Sequence, residues 1–66
     1  MNMSMIKCKE CGKQPHEIEE YVANSIVEYM TPAQFVQQEE GTYNHKTGLF
    51  YCTRCYIKVG MPLGTA

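Results

Sequence analysis

The sequence predicts a small α+β domain that cannot rest on an apolar core alone. The chain has 66 residues, below the roughly 70–80 at which core burial supplies more than a few kcal/mol. Four cysteines fall in two C-x-x-C pairs, Cys8/Cys11 and Cys52/Cys55. Between the pairs lies a stretch written for helices, and just before the second pair a stretch written for strands. The apolar fraction of 44% is ordinary for a folded domain, so a disordered chain is not expected.

One domain over 1–66 is expected, in four pieces. Residues 6–14, Ile-Lys-Cys-Lys-Glu-Cys-Gly-Lys-Gln, read as a tight knuckle around the first pair. Residues 15–41 read as a helical insert. Residues 42–60 read as a β-hairpin running into a short helix. The tail, 61–66, is punctuated by Gly and Pro and is expected to be loosely held.

Within the insert, Pro15 can open a helix, and Glu17, Glu19 and Glu20 favour its positive end. Ile18, Tyr21, Val22, Ile26 and Tyr29 follow one helical stripe, which predicts a helix over 16–29 with a break near Asn24. The second helix, 32–40, is the more fully specified. Thr31 is its N-cap, Pro32 its first residue, and Gln34 completes a capping box. Met30 and Phe35 are spaced as a hydrophobic staple, and Gly41 is the expected left-handed stop. Glu39 and Glu40 oppose the helix dipole there, so solvation or a lysine partner is expected.

Thr42-Tyr43-Asn44 and Leu49-Phe50-Tyr51 are β-prone runs flanking the turn His45-Lys46-Thr47-Gly48. The second run delivers Cys52. Thr53 to Val59 then makes a helix of one to two turns, ended by Gly60 with Pro62 beyond.

Charge narrows the partners. Six Lys and Arg stand against seven acidic residues, a net charge of −1, far from the basic excess of a nucleic-acid binder. Its distribution is uneven. Lys7, Lys9, Lys13, Arg54 and Lys58 lie within three positions of a cysteine, whereas six of the seven glutamates lie in the insert. Met1-Asn2-Met3-Ser4-Met5-Ile6-Lys7 has no apolar stretch of the kind a secretory signal needs. No segment approaches a membrane span of about 18 apolar residues. A soluble, cytoplasmic chain is expected, where paired cysteines serve as metal ligands or redox groups more than as structural disulfides.

Two residues between paired cysteines let the chain reverse so that both sulfurs face one site. Zn²⁺ accepts four thiolates at about 2.3 Å in a tetrahedron. Gly12, directly after Cys11, permits the positive-φ turn by which backbone N–H groups reach sulfur. Tyr56 follows Cys55 instead, so the second pair suits a helix start, whose free N–H groups stabilise thiolate. One Zn²⁺ per chain, held by Cys8, Cys11, Cys52 and Cys55, is therefore expected. The resulting dianionic site makes the loaded protein more acidic than the free chain.

Lys7-Cys8-Lys9-Glu10-Cys11-Gly12-Lys13 as a knuckle, and Leu49-Phe50-Tyr51-Cys52-Thr53-Arg54-Cys55-Tyr56 as hairpin plus helix start, resemble the four-cysteine zinc-ribbon and treble-clef modules. The resemblance covers the two ends of the chain. It implies a small α+β zinc-stabilised, treble-clef-like domain with a zinc knuckle, two-helix insert, β-hairpin and short C-terminal helix. The long helical insert departs from the family, which often has only a loop there.

Other uses of the cysteines carry less weight. A rubredoxin-like iron site also uses two C-x-x-C loops, but no glycine follows Cys55. A thioredoxin-type redox pair or disulfides would call for a scaffold that is not legible in this chain. His16 and His45 are surplus once four cysteines are placed. Four thiolates close the coordination shell, and no nucleophile set or phosphate-cradling loop is present, so no enzyme is expected. Tyr43, Phe50, Tyr51 and Tyr56 suit a miniature core better than base stacking. The expected function is a non-enzymatic adaptor or regulator binding a larger protein through the insert or the tail. The alternatives are a nucleic-acid-binding module using the basic zinc end and an electron carrier.

Overall fold

The computed structural model describes residues 6–66. Residues 1–5 of the Met-rich start, in which no signal's apolar stretch is expected, lie outside the described residues. Strand β1, Lys7–Cys8, enters the knuckle, and a 3-10 turn at Pro15–Glu17 leads to helix α1, Glu19–Val27. Helix α2, Pro32–Glu39, follows, then strand β2, Leu49–Phe50, and helix α3, Thr53–Lys58. The result is α+β. No helix among the described residues is long and apolar enough to cross a membrane.

The sheet differs from the expected hairpin. Over 42–51 the antiparallel pairing is a single bridge, Asn44 to Leu49, and β2 makes its ladder in parallel with β1, Lys7 opposite Leu49 and Cys8 opposite Phe50. Parallel neighbours need a long crossover. The helical insert is that crossover. The missing antiparallel rung is supplied by a side chain: Thr42 Oγ1 accepts the Tyr51 N–H at 2.9 Å.

The first insert helix is also rearranged. Its break falls at Ile18, extended at φ −111°, and not at Asn24. Glu17 folds back so that its carboxylate accepts the Gln14 N–H at 2.8 Å, which closes the 3-10 turn. Ile18 then packs against the core while standing as an N-cap without a side-chain cap bond, so burial outweighs capping preference here.

The buried residues of α1 are Tyr21 and Ser25. Ser25 satisfies its hydroxyl by donating to the Val22 carbonyl at 2.8 Å. With one turn from Tyr21 to Ser25 defining the core side, Ile26 and Val27 are carried outward, 68% and 73% exposed. The expected Ile26–Tyr29 continuation of the stripe is therefore a surface feature.

The capping box of α2 forms as the sequence specifies. Gln34 N–H donates to Thr31 Oγ1 at 3.1 Å, and Thr31 N–H donates to Gln34 Oε1 at 3.0 Å. Its C-terminus does not use Gly41 as a left-handed cap. Glu40 is the C-cap and leaves in extended conformation, φ −82°, ψ 111°. Its carboxylate is taken neither by a lysine nor by bulk water alone. Oε1 accepts the Tyr21 hydroxyl at 2.6 Å, and Oε2 accepts the Thr42 N–H and hydroxyl.

Tyr21, Val36, Tyr43 and Phe50 form the core together with Cys8, Cys52 and Cys55, and Ile6, Ile18 and Phe35 pack on its edge. Tyr21 lies edge-on to Phe50, with ring centroids 5.6 Å apart. The tail is pinned and not loose. Tyr56 donates its hydroxyl to the Pro62 carbonyl, Ala66 N–H to the Thr42 carbonyl, and Asn44 Nδ2 to the Ala66 carbonyl.

Helices α1 and α3 end in the same hydrogen-bond pattern. After α3, Gly60 N–H reaches Ile57 O and Met61 N–H reaches Tyr56 O, with Gly60 at φ 93°. After α1, Tyr29 N–H reaches Ile26 O and Met30 N–H reaches Ser25 O, with Tyr29 at φ 58°. Both are Schellman caps, but only the one after α3 has the glycine that suits the left-handed position. Tyr29 is 98% exposed, so burial offsets none of its strain. Tyr29→Gly is accordingly expected to raise stability by about 1 kcal/mol, and Gly60→Ala to lower it by a similar amount. Denaturant midpoints of the two variants check both signs.

Candidate metal centre

The knuckle positions the first two cysteines. Cys8 N–H donates to the Lys13 carbonyl at 2.8 Å, and Gly12 N–H to the Cys8 carbonyl at 2.9 Å, with Gly12 at φ 78°. Cys8 is buried against β2, whereas Cys11 sits at the exposed turn. Cys52 is the N-cap of α3, and Cys55 lies in its first turn. The parallel pairing of β1 with β2 sets these two halves side by side.

The four sulfurs lie within 4.8 Å of one another, and Cys8 Sγ stands 3.9 Å from Cys52 Sγ. A tetrahedral ion with metal–sulfur bonds of about 2.3 Å sets its sulfurs about 3.8 Å apart. The cluster thus has the dimensions of a closed four-thiolate site and can hold a metal ion. All four sequence-derived candidates, Cys8, Cys11, Cys52 and Cys55, are brought together. His16 and His45 are not part of this group, and His45 instead meets Tyr43 edge-on at 4.7 Å.

The thiols differ electrostatically. Burial raises the pKa of Cys8, but the backbone N–H groups of Cys11, Cys52 and Glu10 outweigh it and bring the thiol down to about 7. The Cys52 N–H stands 3.5 Å from that sulfur. Burial pushes Cys52 up, against the Cys55 N–H that faces it. Burial and the three neighbouring sulfurs push Cys55 up to about 12. A helix N-terminus alone therefore does not make Cys55 a thiolate. A bound cation would, since the metal supplies the charge that burial has removed.

A polar brace behind the centre was not legible in the sequence. The Glu40 carboxylate gathers Tyr21 from α1 and Thr42 from the loop, and Thr42 Oγ1 in turn receives the N–H of Tyr51, the residue before Cys52. Burial first, then the Glu40 carboxylate, hold the Tyr21 hydroxyl well above the ordinary phenol range, so it remains the donor. The only signal for this brace was a glutamate at a helix C-terminus, where the dipole disfavours it.

A cleft of about 510 Å³ beside Cys11, Cys52 and Cys55 is lined by Lys13 and Arg54 and by Glu17, Glu19 and Glu20. Two of the basic residues near the cysteines thus share a cleft with acids of the insert. The ion pair among the described residues, Lys58 with Glu10 at 3.7 Å, is solvent-exposed and worth at most about 1 kcal/mol. Of the aromatics, Phe50 and Tyr43 are buried, while Tyr51 and Tyr56 are half-buried. Comparison with protein-family models, with curated proteins and with solved structures gives no match.

Thr42→Val removes the hydroxyl that receives the Tyr51 N–H and donates to Glu40, leaving both groups short of a partner. The expected cost is about 1–3 kcal/mol, read from chemical denaturation, with the amide resonances of Tyr51 and Cys52 shifting most.

Proposed function

We propose that the chain is a small zinc protein in which Cys8, Cys11, Cys52 and Cys55 hold one Zn²⁺ per chain. The observation that carries this reading is the four-sulfur cluster, sized for a closed tetrahedron. Zinc suits it because a d¹⁰ ion accepts the tetrahedron without geometric preference of its own. A knuckle pair followed by a helix-start pair supports a treble-clef-like module with a long insert. Four thiolates leave no open coordination position, so the metal serves folding and the protein is not an enzyme. The domain acts as an adaptor or regulator that binds a larger protein in the cytoplasm.

A nucleic-acid-binding role is the second reading, favoured by Lys7, Lys9, Lys13, Arg54 and Lys58 around the cysteines. Against it stand Glu17, Glu19 and Glu20, which share a cleft with Lys13 and Arg54. Titration of random duplex and single-stranded oligonucleotides at about 50 and 150 mM salt separates the readings. Micromolar binding at the higher salt, lost in a Lys9→Glu/Arg54→Glu double variant, would promote the second. Capture of a protein at fixed stoichiometry by the intact, metal-loaded chain supports the first.

Elemental analysis is expected to give one zinc per chain and a colourless protein; visible absorbance would instead indicate iron, the rubredoxin-like alternative. Cys8→Ser or Cys55→Ser is expected to abolish cooperative folding, since structural zinc contributes an apparent ~10–16 kcal/mol in finger peptides. A chelated chain that kept dispersed amide resonances would overturn the metal's structural role.

The pH dependence has a definite sign. Each ligand must lose its proton, so apparent zinc affinity falls as pH falls. Because the metal-free chain is expected to be unfolded, its four thiols start near the ordinary cysteine pKa of about 8.5, and the slope of log affinity against pH is expected to approach four protons below that value. Competition titrations with a chromogenic chelator at pH 6 to 8 measure it.

A further inference from the structure

We infer that the outer face of α1 and its cap, formed by Ile26, Val27 and Tyr29 and bordered by Glu19 and Glu28, docks a cationic amphipathic segment of a partner protein. The inference rests on the adaptor reading above and names the surface and partner chemistry it requires. Tyr21 and Ser25 define the core side of α1, which puts Glu19, Ala23, Ile26 and Val27 on the opposite side. Ile26, Val27 and Tyr29 are 68%, 73% and 98% exposed. Three large apolar side chains so placed contribute nothing to the core, and an apolar patch with a charged border is the usual form of a docking site.

Backbone conformation adds a second observation. Tyr29 occupies the left-handed cap position that Gly60 occupies after α3, at φ 58° and without burial. The conformation closes the α1 cap, but glycine would close it with less strain, so the exposed tyrosine side chain is available for a surface role. Tyrosine is also the side chain best suited to anchor an interface, being large, rigid and amphipathic.

Charge selects the occupant. From Glu17 to Asn44 there are six glutamates and no Lys, Arg or His. Of these, Glu17, Glu19 and Glu20 line a cleft that also holds Lys13 and Arg54, and Glu40 is held by Tyr21 and Thr42, whereas Glu28 stands exposed between Val27 and Tyr29. An isologous contact with a second copy of the chain would bring like charge against this face, and an anionic membrane would be repelled by it. A segment carrying Lys or Arg around one or two apolar anchors complements both components, in the helix-in-groove or helix-on-face mode.

The test uses the zinc-loaded full chain and a fluorescent peptide of about 18 residues, leucine and lysine only, with the leucines at i, i+3, i+4 and i+7. A scrambled peptide of the same composition and a leucine–glutamate counterpart are the controls. Anisotropy at about 150 mM salt is expected to show the amphipathic lysine peptide binding about tenfold or more tighter than either control. Ile26→Ser/Val27→Ser is expected to weaken it about tenfold. Tyr29→Gly provides the sharper readout, because it is expected to weaken binding while raising the denaturation midpoint. A merely structural tyrosine would not move the two in opposite directions. Equal binding of scrambled and amphipathic peptides, indifference to the three residues, or sedimentation showing a dimer dissolved by the same substitutions would overturn the inference. Zinc content is measured on every variant. A chain that keeps its metal and captures a protein partner, yet fails these peptide tests, overturns only this surface and leaves the adaptor reading standing.

Discussion

Everything in this fold depends on bringing together two sulfur pairs from opposite ends of the chain. Cys8 and Cys52 are 44 positions apart, yet their sulfurs stand 3.9 Å from each other. Closing a loop of that length costs about 3 kcal/mol of chain entropy beyond a constant term. Two strands of two residues each cannot hold such a closure by themselves. The insert does so by packing Tyr21 and Val36 under Phe50, and Glu40 ties its two helices to the loop that leads into Cys52. Core, brace and sulfur cluster are therefore one cooperative unit.

The sequence disclosed what is encoded locally. The Thr31–Gln34 capping box, the Gly12 turn, the helix after Cys52 and the grouping of all four cysteines could be read from spacing, because each is decided within a few residues. Long-range choices were not legible. The β-prone runs over 42–51 suggested a hairpin, but Leu49 and Phe50 pair with the knuckle, a decision made by a segment 42 positions earlier in the chain. The α1 stripe was misassigned because Ile26 and Tyr29 fit the period as well as Ser25 does. A serine that bonds back to its own helix can be buried with no apolar signal at all. Gly41 was read as a cap because nothing local reveals that Glu40 is wanted elsewhere.

Charge and function are separated along the chain. The cations cluster near the four cysteines, where they would favour thiolate. Most of the anions lie on the insert, where Glu17, Glu19 and Glu20 line the cleft beside Cys11, Cys52 and Cys55 and Glu20 accepts the Thr53 hydroxyl at 3.2 Å. The molecule thus has a cysteine cluster at one end and an acidic helical insert beside it, joined by a core of few residues.

The parallel crossover has a kinetic consequence. In an unfolded chain each C-x-x-C pair is already a local two-sulfur chelate, whereas the pairing of β1 with β2 waits for the insert between them. Half-sites form before the topology that unites them. At high concentration a half-site from one molecule can meet the complementary half of another, giving cross-linked assemblies with correct local coordination and wrong connectivity. Under the proposed zinc reading, slow, dilute addition of metal would favour intramolecular closure, so the manner of loading would decide whether the ion acts as a clasp or as glue.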